Sequence, residues 1–140
     1  MVVLVCFELG ARFARLSRVG RRTEVTAHPD YLFRSLVSVV RNAISYRGEF
    51  GPLVISANEK DGVVSITVAD SGPSLPAMEL AEVFEPFYGP EPARQWETDG
   101  VGLGLAIVKT CTRACGGIVK CRNRSPTGLE VEIRLPAPEP

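Results

Sequence analysis

Three short stretches of this sequence carry residue types whose spacing could do chemistry. The first is Asn42, followed by Ala43, on what reads as the apolar side of a helix. A carboxamide turned toward a core needs a partner or costs about 1–3 kcal/mol, and its oxygen suits a hard cation such as Mg²⁺. A capped or solvated asparagine is the ordinary use of that residue. The second is Asp70, closing an alternating run and followed by Ser71-Gly72. An acid there can accept a hydrogen bond from an exocyclic amine, and a glycine two residues on lets a flat ring approach the backbone. Taken alone the triplet reads better as a plain Asx turn. The third is Gly100-Val101-Gly102-Leu103-Gly104 at the start of an apolar periodic segment. Backbone amides at a helix N-terminus, freed of side chains, favour phosphate. The triplet follows a long polar stretch rather than a strand, which excludes the dinucleotide-binding fold by context. Nor does the chain contain the Gly-x-x-x-x-Gly-Lys-Ser/Thr run of a P-loop.

The elements that must position these residues are written in the hydrophobic pattern. Leu32, Phe33, Leu36, Val37, Val40 and Ile44 recur at three- and four-residue intervals, which predicts an amphipathic helix over 30–46 with Asp30 as its cap. Gly48 ends it, and Gly51-Pro52 mark a turn. Leu53, Ile55 and Ala57 alternate with polar or small neighbours, as do Val64, Ile66 and Val68, and Glu59-Lys60-Asp61-Gly62 stands between them. That is a β-hairpin signal. A short helix is predicted over 76–83. Residues 84–100, rich in Pro, Gly and Glu, have no period, and a loop of that length in a compact domain is usually functional. A helix from the glycine run to Ala114 is stopped by Gly116-Gly117. Strands follow at 118–123 and 129–135, joined by Ser125-Pro126-Thr127-Gly128. The proline-rich tail from Pro136 is expected outside any central strand, and frayed. Before residue 28, strands at 2–7 and 22–26 and a helix over 9–16 are the expectations. Helices alternating with tightly joined strand pairs predict an α/β two-layer sandwich, with helices on one face of a mixed or antiparallel sheet.

Composition bounds the function classes. The chain has 140 residues, enough for one domain, with 45% apolar and 23% charged residues. Lys plus Arg and Asp plus Glu each number 16, so no bulk field draws a polyanion, and nucleic acid is not an expected partner. The local basic cluster over 12–22 reads as a solvated face, with a protein-docking surface as the alternative. The apolar run at 2–7 is too short for a membrane span and lacks a preceding basic residue, so neither a leader, an anchor nor direct membrane contact is expected. Cys6, Cys111, Cys115 and Cys121 have only His28 as another soft ligand in the chain, so they read as small buried hydrophobes in a reducing compartment.

In their order, these stretches resemble the ATP-binding catalytic domain of sensor histidine kinases, within the gyrase, heat-shock-chaperone, histidine-kinase and MutL superfamily. Arg41-Asn42-Ala43-Ile44 is similar to that family's N box and Asp70-Ser71-Gly72-Pro73 to its G1 box. Val83-Phe84-Glu85-Pro86-Phe87-Tyr88 is similar to its F box, and Gly100-Val101-Gly102-Leu103-Gly104-Leu105-Ala106-Ile107-Val108-Lys109 to its G2 box. The resemblance covers 30–136. It implies the Bergerat fold, three helices over a mixed, largely antiparallel sheet, in a domain over 28–136 with 1–27 as lead-in and 137–140 as a flexible tail. It implies that Asn42 holds Mg²⁺ bridging the phosphates of ATP, that Asp70 accepts from the adenine amino group, and that Gly72 lines the base pocket. Residues 88–100 become a lid, with Phe84 and Phe87 anchoring it in the core and Arg94 reaching the terminal phosphate. Tyr46, Gly100, Gly102, Leu103, Gly104 and Leu105 complete the implied nucleotide contacts.

The sequence departs from that pattern at four places. Ser38 stands where an Asn is common, and where related hydrolases carry a Glu base; Ser45 stands for a Lys, Ser74 for the second G1 glycine and Leu129 for a Thr. The lost Lys removes one cation from the phosphate site. His28-Pro29-Asp30 does not match a phosphoacceptor motif, so the resemblance implies a histidine on a separate dimerisation domain, in the same full-length protein or another chain, and a response regulator downstream. It implies a cytoplasmic location, with a membrane-bound sensor's cytoplasmic part as one form. Two alternatives share the fold: a degenerate, non-catalytic phosphotransfer or interaction module, and a stand-alone serine kinase similar to anti-sigma-factor kinases.

Overall fold

The computed structural model describes residues 14–16, 25–47, 53–86 and 104–139, for 14–16 and 45–47 the backbone course alone. In chain order the elements are β1 (Ala14–Leu16), α1 (Pro29–Arg47), β2 (Leu53–Lys60), β3 (Val63–Ala69), α2 (Ala77–Leu80), α3 (Gly104–Ala114), β4 (Ile118–Asn123) and β5 (Leu129–Pro136). The strands form one sheet in the order β1-β2-β3-β5-β4. β1 runs parallel to β2, and every other pairing is antiparallel.

The alternation in the strands decides which face is covered. Leu53 and Ile55 of β2, Val64, Ile66 and Val68 of β3, and Val131, Ile133 and Leu135 of β5 are buried in one cluster with the helices. α1 contributes Leu32, Leu36, Val39, Val40 and Ala43 to it, and α3 contributes Leu105 and Val108. Residues of the opposite parity, such as Ser56, Ser65 and Thr67, turn to the other face and are half-buried. On that face Glu132 is nearly enclosed between Arg134 (2.9 Å) and Arg122 (3.3 Å), and Arg122 also bonds Glu130 at 2.8 Å. Burial by itself raises the Glu132 carboxyl, but the hydrogen bonds from Arg134 and Arg122 outweigh it and leave it below its ordinary value.

The predicted helix and hairpin are present. The hairpin turn is Asp61-Gly62, both with positive φ (54° and 78°), as a two-residue turn matched to strand twist requires. Four expectations are corrected. The helix over 9–16 is a strand at Ala14–Leu16, paired with Leu53–Ile55; tertiary pairing overrides local propensity there. Residues 25–26 are not a strand, although Thr26 donates its N–H to the Pro136 carbonyl at 2.9 Å. The helix over 76–83 is a single turn, Ala77–Leu80, none of whose residues is buried. Pro136 does end an interior strand. It pairs with Val63, but β4 begins opposite Arg134, so no neighbour on that side asks for its missing N–H. Val83 is buried, and Phe84 packs against the core as expected for a lid anchor; Phe87 and 88–100 lie outside the described residues. The strand at 2–7 also lies outside them.

Candidate functional site

Topology brings Asn42, Asp70 and Gly104 to one end of the sheet. α1 begins near Thr26, whose N–H bonds Pro136, the partner of Val63. It ends six residues before Leu53, beside which Val54 pairs with Ala69, the neighbour of Asp70. α3 ends just before Ile118, which pairs with Arg134 and, through it, lies level with Ser65 near the far end. Its N-terminus therefore points back toward Asp70. The ends nearest Pro136 meet too: Leu32 and Ser35 of α1 and Cys111, Thr112 and Cys115 of α3 line one small cavity. Two packed helices joined in that way run antiparallel. Asn42, Asp70 and Gly104 are consequently on the same edge of the molecule.

Asp70 is 3% exposed and leaves β3 just past its last ladder residue. Its Oδ1 accepts the N–H of Gly72 at 2.9 Å and that of Leu129 at 3.1 Å. Its own N–H donates to the Leu129 carbonyl at 2.9 Å. Two amide donors fix the carboxylate's orientation. The Asx turn and the functional reading are thus the same arrangement: the turn aims the acid. Gly72 is buried.

Asn42 is half-buried on α1, on the same flank as Ser35 and Ser38 and beside the buried Val39 and Ala43. Among the described residues no group of His, Cys, Asp and Glu could hold a metal. One neutral carboxamide oxygen, completed by phosphates and water, is a donor set that fits Mg²⁺. Gly104 opens α3 with open space around its Cα. The Leu105 side chain belongs to the core, and the first backbone amides of this helix have no preceding turn to bond. Arg94, Gly100, Gly102 and Leu103, and the side chain of Tyr46, lie outside the described residues.

The sequence reading missed the turn between β4 and β5. Arg124, Thr127, Gly128 and Asn123 all bond the segment that carries Asp70. Arg124 Nη1 donates to the Asp70 carbonyl at 2.7 Å, and Thr127 Oγ1 to the Gly72 carbonyl at 2.8 Å. The side chain of Asn123 accepts the Leu75 N–H at 2.9 Å and donates to its carbonyl at 2.7 Å. The available signal was the run of polar residues ending β4, read only as a connection.

Cys121, two ladder rows behind Asp70 on the covered side, has its thiol pushed up to about 11, first by burial and then by the Asp70 charge, with Arg122 opposing. Cys111, Cys115 and Cys121 are free thiols. Among the described residues no helix is long and apolar enough to cross a membrane.

Residues 27–139 match the family described as histidine kinase-, DNA gyrase B-, and HSP90-like ATPases. A sensor histidine kinase component of Mycobacterium tuberculosis is 39% identical over 116 residues, covering 83% of this chain and 67% of that one. The sensor histidine kinase CpxA of Escherichia coli is 39% identical over 112 residues, covering 78% of this chain but 23% of its own. The chain thus spans about two thirds of the first relative and under a quarter of the second. Among solved structures, full-length ShkA in complex with AMPPNP superposes with a TM-score of 0.81 at 26% identity, over 99% of this chain and 30% of that one.

Proposed function

The chain belongs to the family of histidine kinase-, DNA gyrase B-, and HSP90-like ATPases, and from that premise we propose that it is the ATP-binding kinase module of a two-component sensor, presenting the γ-phosphate of ATP to a histidine on a separate dimerisation domain. The observation that carries the reading is Asp70, buried, held by two amide donors and set at the sheet end where α1 and α3 converge. In this reading its carboxylate accepts the adenine exocyclic N–H, and Gly72 leaves room for the ring. The backbone amides opening α3 receive the phosphates. Asn42 is the protein's ligand to Mg²⁺, which when bound neutralises phosphate charge and orients the transferred group. The protein's part is positioning and electrostatics, as befits phosphoryl transfer. The accepting histidine, and a response regulator that takes the phosphate onward, complete the reaction, in a cytoplasmic setting. The relatives' names are those of sensor histidine kinases, which favours neither a serine kinase nor a non-catalytic module.

Titration calorimetry with ATP and Mg²⁺ tests this. Heat of binding is expected from the unsubstituted chain and not from Asp70→Asn or Asn42→Ala. An asparagine at 70 keeps an oxygen for Gly72 and Leu129 but sets an NH₂ where an acceptor stood, facing the base with donor against donor. Binding retained in both variants would overturn the site. For the reaction, label transferred from γ-labelled ATP to a histidine-bearing dimerisation domain should be acid-labile; acid-stable label would point to serine.

A further inference from the structure

The loop that carries Asp70 is tied to the β4–β5 turn at four positions, Asp70, Gly72, Ser74 and Leu75, and two of the ties fall where the sequence departs from the family pattern. The last step of the β3–β5 ladder is made with a side chain. Asp70 N–H donates to the Leu129 carbonyl, but the Leu129 N–H answers to Asp70 Oδ1 (3.1 Å) rather than to a main-chain oxygen. The Asp70 carbonyl, displaced from the ladder, receives Arg124 Nη1 at 2.7 Å. It sits against Gly128, where a Cβ would collide with it. Ser74 Oγ accepts the Gly128 N–H at 3.2 Å and donates to its carbonyl at 3.4 Å, so the residue that replaces a glycine supplies a latch. Thr127 holds Gly72, and Asn123 holds both main-chain groups of Leu75. Leu129, which replaces a threonine, contributes through its backbone alone.

We propose that Arg124 is a positioning residue for base recognition, holding the Asp70 peptide so that its carboxylate meets the exocyclic amine of adenine, with Ser74, Thr127 and Asn123 fixing the rest of the loop. The inference rests on the reading that this cleft binds ATP. Without the guanidinium, the Asp70 carbonyl competes for the donors that now aim the carboxylate. The cost falls on a ligand that presents an amine there, and little of it on one that does not.

The test uses the 140-residue chain and the affinities of Mg²⁺-ATP and Mg²⁺-ITP, whose base carries an oxygen in place of the amine. Arg124→Met keeps the aliphatic stem and removes the donors; Arg124→Lys restores a cation. In Arg124→Met, ATP affinity is expected to fall about tenfold, the scale of one charge-assisted hydrogen bond, while ITP affinity stays within about twofold. Arg124→Lys should recover most of the loss. An unchanged ATP/ITP ratio, or a parallel loss of both nucleotides, overturns the proposal. Should Arg124→Met fail to fold, Ser74→Ala at an exposed position carries the same test, with a fall of about threefold in the ratio expected and an unchanged ratio counting against it. If the unsubstituted chain binds neither nucleotide, the nucleotide reading falls and this inference with it; if it binds ATP and the variants keep its preference, the clamp alone falls.

Discussion

At the scale of single residues, the acid that the sequence offers for base recognition and the turn that it equally suggests are not alternatives. Asp70 Oδ1 spends its acceptor capacity on Gly72 and Leu129, and this holds the carboxylate at one orientation in a buried place. Asp70 itself was legible because an acid closing an alternating run before Ser-Gly is a local pattern, one that an Asx turn shares. Its supports were not, since Leu129 and Arg124 lie more than fifty residues away and act through a backbone amide and a long side chain. Gly128 shows how tight the arrangement is. Its φ is 114°, and a Cβ there would strike the Asp70 carbonyl. Gly128→Ala should therefore destabilise the chain by roughly 1–3 kcal/mol in urea unfolding and weaken ATP binding together, through both strain and displacement of the acid.

At the scale of elements, α1 and the β2–β3 hairpin follow the periodicities closely because each buries a single apolar face. Leu36 on α1 is 2% exposed, and Leu36→Ala should cost about 2–5 kcal/mol in the same measurement. α3 carries the opposite case. Thr112 is buried against Ser35 and Cys111, and its hydroxyl has no hydrogen-bond partner among the described residues. Thr112→Val replaces that hydroxyl with a methyl of the same shape, so the unfolding midpoint should hold or rise, by up to about 1 kcal/mol in stability. A loss larger than that would show that the hydroxyl is satisfied. The strand Ala14–Leu16 escaped the pattern reading since three residues hold no period, and only pairing with Leu53–Ile55 defines them.

For the whole molecule, the antiparallel run of α1 and α3 over one sheet places two helix ends beside the strand end at Asp70. The same packing brings Cys121 under that acid. Its thiol is pushed up to about 11 from an ordinary 9.0, so the folded chain keeps the proton longer than the unfolded chain does. The stabilisation is whole below about pH 9 and is lost as pH rises toward 11. Chemical denaturation across that window should show stability falling with pH, and Cys121→Ala should flatten the slope; an equal slope in the variant would assign it to another group.

What the sequence determined by itself was every element with a clean period and the local chemistry of Asn42, Asp70 and the glycine run, since helix and strand periods and turn residues act between near neighbours in the chain. The antiparallel alignment that gathers Asn42, Asp70 and Gly104 at one edge, the parallel edge strand, and the grip of Arg124 and Asn123 on the Asp70 loop were decided only in the tertiary structure. These depend on which strands lie side by side, and β5 comes between β3 and β4 through pairings that no local pattern encodes.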